Sequence, residues 1–356
     1  MEWTSVARPR EPKGVGWWSS YGRTPKPDAL QAIRVGWSRE RVRVSVRFRL
    51  GLRVAATLLS MVACVMVSGC NSLGSERPDL VWGVYGTRDG WLKKPRVIAI
   101  DAEDQLYIAD LTDRIQVFDR DGTFLRGWRV PKLNVDGPSG LTIDRLGRLL
   151  VADTHFYRIL IYDRQGRLLF QVGDGIQGTE PGRFGYPTDV VIDDQGNFYT
   201  SEYGENDRIQ VFSPEGVWLR QWGGHGYEPG QFIRPTALAF DKSQRLFVAD
   251  SCNHRVQVFD TQGRLLDLWG EMGDAEGQMS YPYDLCFGPD GLVYIIEYGN
   301  QRVQRFTPDG QPRGVWGGPG RQPGRFHDPW ALAVDHLGFV HAVDTNNHRV
   351  QRFRFP

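Results

Sequence analysis

A chain of 356 residues suffices for one large domain or two ordinary ones, and 42 glycines with 12% aromatics favour an all-β protein rich in turns. Net charge is +1, but residues 1–53 hold 12 basic against 4 acidic residues, which leaves 31 against 38 for the rest, a net of −7. Such an acidic body argues against a nucleic-acid partner, and four cysteines are too few for a disulfide scaffold.

In chain order, a basic extension comes first. Residues 1–43 are too long and too rich in Pro and Trp for an ordinary leader, and no function attaches to them. Residues 54–69, VAATLLSMVACVMVSG, carry no charge and follow Arg47, Arg49 and Arg53. Sixteen residues is short for a membrane span and suits a signal-peptide core. Val67-Ser68-Gly69-Cys70 resembles the lipobox of bacterial lipoproteins. That resemblance implies cleavage before Cys70, lipidation of Cys70, and a polar tether to residue 79. An uncleaved anchor helix is the alternative. Either way the body is expected to be exported and held at a membrane, facing the periplasm or cell surface.

From residue 80 onward the chain repeats. Pro95, Pro138, Pro187, Pro235, Pro282 and Pro329 recur at spacings of 43 to 49 residues. After each comes an apolar run: VIAID, GLTID, DVVID, ALAFD, DLCFG, ALAVD. A second run ends on an acid (LYIAD, LLVAD, FYTSE, LFVAD, VYIIE, VHAVD), and a third starts on arginine (RIQVF, RILIY, RIQVF, RVQVF, RVQRF, RVQRF). A fourth mostly closes on aromatic-Gly, as in Trp222-Gly223, Trp269-Gly270 and Trp316-Gly317. Each run has strand length and polar turns separate them, so every unit is an antiparallel meander. Six such units predict an all-β, six-bladed β-propeller of four-stranded antiparallel blades. The last unit stops after its third strand, at Pro356. Leu80-Val81-Trp82-Gly83 supplies the missing fourth strand, so an N-terminal strand is expected to complete the last blade and close the ring. The expected domains are 1–69 (extension and signal peptide), 70–79 (lipidated Cys70 and tether) and 80–356 (propeller).

The acid ending strand two, the loop, and Arg-[Ile/Val]-Gln-x-Phe resemble NHL repeats, and Asn253-His254-Arg255 and Asn347-His348-Arg349 spell out that family's name. The resemblance spans residues 80–356 and implies the six-bladed fold. It says little about chemistry, because such propellers host unrelated activities.

Strand direction puts the tight one-to-two and three-to-four turns on one face and the longer loops on the other. A site is expected on the long-loop face, around the channel mouth. The rim position after each Pro varies: Arg96, Ser139, Thr188, Thr236, Tyr283 and Trp330, with Asp189 and Asp284 one step deeper. Variation beside uniform neighbours suits a ligand-facing position. Solvated loop ends are the alternative.

The pairs Asp110/Arg114, Asp153/Arg158, Glu202/Arg208, Asp250/Arg255, Glu297/Arg302 and Asp344/Arg349 could form charged rings. Both signs recur in every unit, which points instead to a shared structural job, stapling each loop. Seven histidines show no metal-ligand spacing, and His341 falls at a packing position of strand two. No nucleophile elbow or phosphate-cradling loop is present. Cys286 takes a slot filled by small residues elsewhere, and an exported location would permit a Cys252–Cys286 bridge that the mid-strand and loop positions disfavour.

The leading expectation is a monomeric, non-catalytic platform binding a protein, peptide or glycan, without a cofactor. The alternative is a metal-assisted hydrolase or lyase in the channel, using Asp189, Asp284 and a loop histidine such as His254, which leaves open a zinc or calcium ion there. Some relatives of this propeller class are metal-dependent lyases or lactone hydrolases.

Overall fold

Strand two of each repeat, such as Leu246–Asp250, is buried from its first residue through its closing acid, whereas the fourth strands Phe124–Arg129 and Trp218–Gly223 alternate half-buried with exposed. A strand flanked by sheets on both faces reads as a continuous apolar run, and one with a wet face alternates. The computed structural model, which describes residues 77–131, 137–204 and 206–356, accounts for this difference. Six four-stranded antiparallel sheets form blades over 95–129, 140–172, 186–223, 235–269, 282–317 and 331–353, the sixth completed from residue 80. Six apolar clusters separate them, one between each pair of neighbours. One, for example, joins Phe247, Val256 and Val258 of blade 4 to Leu285, Ile295 and Phe306 of blade 5. Among the described residues the only helical segments are one-turn 3-10 pieces, Thr154–Phe156, Ser251–Asn253 and Thr345–Asn347.

The N-terminal strand closes the ring as expected. Leu80–Trp82 pairs antiparallel with Arg349–Phe353, with Leu80 opposite Arg352 and Trp82 opposite Val350. The indole of Trp82 sits against the tight-turn glycine Gly122 of blade 1. Trp128, Trp222 and Trp269 do the same at Gly166, Gly263 and Gly310 of their next blades. The closing strand therefore supplies both the missing edge and the missing wedge.

Each inner strand begins within two residues of the repeat's proline, and four of them begin irregularly. The register slips by one residue between Pro95 and Val97, Pro187 and Asp189, Pro235 and Ala237, and Pro282 and Asp284. Proline brings no N–H to the ladder, so pairing breaks there and one residue bulges. The bulged residues are Arg96, Thr188, Thr236 and Tyr283, four of the six expected rim positions. Blade 2 packs so closely on blade 3 that Gly140 admits no side chain: a Cβ there would lie 2.5 Å from the Thr188 carbonyl oxygen and 2.6 Å from Asp189 Cα.

Candidate functional site

The acid–arginine pairs come first, because they fix the loops that frame the mouth. All six are in contact. Arg114, Arg158, Arg255, Arg302 and Arg349 lie 3.2, 2.8, 2.8, 2.6 and 2.7 Å from Asp110, Asp153, Asp250, Glu297 and Asp344, and Arg208 contacts Glu202. Each arginine also donates to backbone carbonyls of the connector entering its blade. Arg255, for example, reaches the Tyr227, Glu228 and Gln231 oxygens at 2.8 to 3.0 Å. The acid closes the same connector by accepting its N–H, as Asp250 does from Ile233 at 2.8 Å. Burial pushes the carboxyls of Asp153, Glu202, Asp250 and Asp344 up, against the pull of these donors.

The glutamine two residues after the arginine completes the unit. Gln257 donates to both Gln231 O and Asp250, and its own oxygen accepts the Gly230 N–H. Gln116, Gln210, Gln304 and Gln351 accept from Gly90, Gly182, Gly277 and Gly324 in the same way. Blade 2 has Leu160 in that place. The glutamine recurs in the motif, yet its role is invisible until the connector folds onto it.

Histidine links blades. His254 and His348 follow the 3-10 turns in left-handed conformation, φ +56° each. The Nδ1 of His254 accepts the Tyr281 N–H at 3.0 Å, and that of His348 accepts the Lys94 N–H at 3.0 Å. His254 is thus engaged with the next connector rather than with Asp189 or Asp284. His341, in strand two of blade 6, is buried and lies 3.2 Å from Asp335, beside the tight turns.

At the mouth, the six rim residues divide in function. Thr188 donates to the Pro235 carbonyl of the next blade at 2.7 Å and contacts Ser201 Oγ at 2.7 Å. Thr236 donates to the Pro282 carbonyl at 3.2 Å. Both are buried and stitch neighbouring blades, which differs from the ligand-facing role expected of them. Ser139 accepts from Thr154 at 2.7 Å within its own blade. Arg96, Tyr283 and Trp330 instead come together. The Arg96 guanidinium lies 4.5 Å over the Trp330 ring, and Trp330 lies 5.4 Å from Tyr283.

Three residues that the sequence did not single out extend this group. Tyr298 is 4.9 Å from Tyr283. Arg234 sits 5.7 Å over Tyr283 and 5.0 Å over Tyr203. Tyr203 then stacks on Tyr186 at 5.1 Å. The result is a belt of rings and guanidiniums, Tyr203–Arg234–Tyr283–Trp330–Arg96, running from blade 3 through blades 4, 5 and 6 to blade 1. Aromatic faces beside guanidiniums attract one another and offer flat apolar area next to positive charge. The residues after the strand-two acids carried a signal: Leu111, Thr154, Tyr203, Ser251, Tyr298 and Thr345 vary as the rim does.

Asp189 and Asp284 lie one residue deeper on their inner strands. Each bridges two blades. Asp189 accepts from Val190 at 2.8 Å and from Leu238 of blade 4 at 2.9 Å. Asp284 accepts from Leu285 at 2.8 Å and from Leu332 of blade 6 at 2.9 Å. Burial pushes both carboxyls up, Asp284 to about 7, and the nearby Asp284 carboxylate raises Asp189 further. Each acid thus spends both carboxylate oxygens on backbone N–H groups, one of its own strand and one of the next blade. Among the described residues no three His, Cys, Asp or Glu side chains gather as a metal site. Cys252 and Cys286 are both free thiols. Cys70 lies outside the described residues.

The NHL repeat model matches residues 184–212 and 232–259, the connector ends and first three strands of blades 3 and 4. The peptidyl-glycine alpha-amidating monooxygenase B of Xenopus laevis is 37% identical over 124 residues, covering 33% of this chain and 14% of that protein. This chain thus spans about one-seventh of that relative's length. A gluconolactonase from Xanthomonas campestris has a similar fold (TM-score 0.57, 16% identity, 74% of this chain and 87% of that one). So does a virginiamycin B lyase from Staphylococcus aureus (TM-score 0.53, 14% identity, 77% and 88%). The connectors, staples, closed ring and repeat match agree: this chain carries NHL repeats and folds as a six-bladed β-propeller.

Proposed function

We propose that this propeller is a non-catalytic binding platform whose long-loop face, at the channel mouth, holds a protein, peptide or glycan ligand. The observation that carries the reading is the continuous belt Tyr203–Arg234–Tyr283–Trp330–Arg96, built from five blades. The staples hold its loops in place before a ligand arrives, and a preorganised aromatic–arginine surface is the usual composition of binding hot spots. On this reading the protein works as an exported monomer, tethered to a membrane through lipid on Cys70, with no nucleic-acid partner and no required cofactor. The test is an array of peptides and glycans probed with wild type and with Tyr283→Ala/Trp330→Ala. The variant is expected to keep the wild-type circular dichroism and lose the ligands that wild type retains. Unchanged retention would remove the mouth as the site. Cys70→Ser is expected to move the protein from membranes to the soluble fraction, and continued membrane retention would favour an uncleaved helix.

A second reading is supported by the two inner-strand carboxyls Asp189 and Asp284, each set one residue below the rim, and by the likeness in fold to lactonase and lyase propellers. It makes the channel the site of a metal-assisted hydrolase or lyase, with Asp189 and Asp284 holding zinc or calcium. Such an ion would act as a Lewis acid or activate water. Stoichiometric metal in the purified protein, lost in Asp189→Ala/Asp284→Ala, would establish this reading over the platform. Metal-free protein that still binds its ligand would remove it.

A further inference from the structure

The repeat arginines share one environment, and Arg234 departs from it. The six repeat arginines each meet a carboxylate and connector carbonyls. Arg234 has neither. Among the described residues its side chain makes no ion pair or hydrogen bond, and its Nε is buried without an acceptor. Its contacts are the faces of Tyr203 and Tyr283. A guanidinium stays charged at all relevant pH, and a partly desolvated charge without a partner is costly. The chain nevertheless holds it there firmly. Arg234 is in left-handed conformation, φ +57°, its backbone N–H donates to Asp207 at 3.3 Å, and Pro235 follows it.

Resting on the mouth reading above, we infer that Arg234 is the receptor for a carboxylate on the ligand, and that the ligand is an acidic saccharide of the uronate class. A uronate ring carries a carboxylate next to an apolar C–H face. The mouth presents the complement: a guanidinium without an acceptor 5.7 Å from the Tyr283 ring, with Trp330 and Tyr298 as neighbouring faces. The carboxylate accepts the two-pronged hydrogen bonds that the terminal nitrogens of a guanidinium offer. The sugar face covers Tyr283 and Trp330, and Arg96 over Trp330 puts a second positive charge one blade further along for a longer acidic chain. Residues 232–234, 281–283 and 328–330, the segments around the prolines of blades 4 to 6, would carry the contacts.

Calorimetric titration of the full propeller with trigalacturonate, and with the same trisaccharide after its carboxyls are reduced to alcohols, tests this. Trigalacturonate is expected to bind saturably and to weaken with added salt. The reduced sugar should bind about tenfold or more weaker, as expected when a charge-assisted hydrogen bond is lost. Arg234→Gln is expected to bring the acid sugar down to the level of the reduced one, and Arg234→Lys to recover part of the difference with unchanged circular dichroism. Equal binding of the two sugars, an acid-sugar affinity unmoved by Arg234→Gln, or no binding of either sugar would each overturn the assignment. The mouth reading fails separately. Should Tyr283→Ala/Trp330→Ala leave sugar binding intact, the site is elsewhere. Should it abolish equal binding of both sugars, the mouth stands and the carboxylate assignment falls. Binding of a peptide through its C-terminal carboxylate, with no sugar bound, would replace the saccharide.

Discussion

Replacing Arg255 with methionine keeps the stem and removes the guanidinium. The lost contacts are the Asp250 carboxylate at 2.8 Å and three connector carbonyls at 2.8 to 3.0 Å. Asp250 has no solvent exposure, so it is left as a buried carboxylate without its cation. Breaking a buried pair from one side costs about 3–5 kcal/mol. Asp250 keeps donors from Ile233, Asn253 and Gln257 at 2.8 to 3.0 Å, which places the expected loss at the lower end, about 3 kcal/mol. Asp250→Asn/Arg255→Met removes the stranded charge as well and should recover part of that loss, because contacting residues are non-additive. Urea unfolding followed by circular dichroism measures the totals. Amide exchange over 226–232 reports whether the connector loosens first. A loss below about 1 kcal/mol would refute the stapling role, since exposed ion pairs reach no more than that. A stable variant that only lost ligand would make the charged ring a binding feature instead.

Four further outcomes follow from the same geometry. Trp82→Ala should lower stability by about 3 kcal/mol, because it removes the closing strand's wedge against Gly122, and an effect near zero in thermal unfolding would contradict closure by this strand. Gly140→Ala should cost about 1–3 kcal/mol by driving a Cβ into Asp189 and the Thr188 carbonyl, and a neutral result would contradict so close an approach of blades 2 and 3. Burial holds His254 and His348 below the ordinary histidine value, so the folded chain binds fewer protons than the unfolded one. Stability should therefore rise with pH through the window below about 6.5 and be lost on acidification, a slope that His254→Gln/His348→Gln should flatten. Asp284 works in the opposite sense: its raised carboxyl favours the fold below the unfolded value of about 3.9 and loses that contribution as pH rises to about 7, so carbon-13 titration showing an Asp284 carboxyl near 4 would contradict the buried bridge.

The fold was legible because each repeat states it again. An apolar run ended by an acid, followed by arginine and alternating residues, fixes strand positions without reference to the rest of the chain. The closing strand was legible for a related reason: Leu80-Val81-Trp82-Gly83 repeats the aromatic-Gly ending of the fourth strands, and it pairs where a fourth strand would, against Arg349–Phe353. The mouth was half legible. Tyr283 and Trp330 differ from their counterparts and do face each other, 5.4 Å apart. Thr188 and Thr236 vary too, but their hydroxyls turn to the next blade's carbonyl, and no sequence feature states which way a bulged residue points. Arg234 was not legible at all. Its position before proline holds Lys94, Gly137, Tyr186, Tyr281 and Asp328 elsewhere, and its environment arises only where blades 3, 4 and 5 meet.

The central claim is that the long-loop face binds ligand at the channel mouth, and a hydrogen-exchange footprint with a ligand retained on the array addresses it most directly. Slowed exchange should concentrate at 232–238, 281–285 and 328–332, with the tight turns at 101–105, 193–197 and 241–245 unchanged. Protection of those tight turns, or of the outer strands, with the mouth segments unaffected, would contradict it.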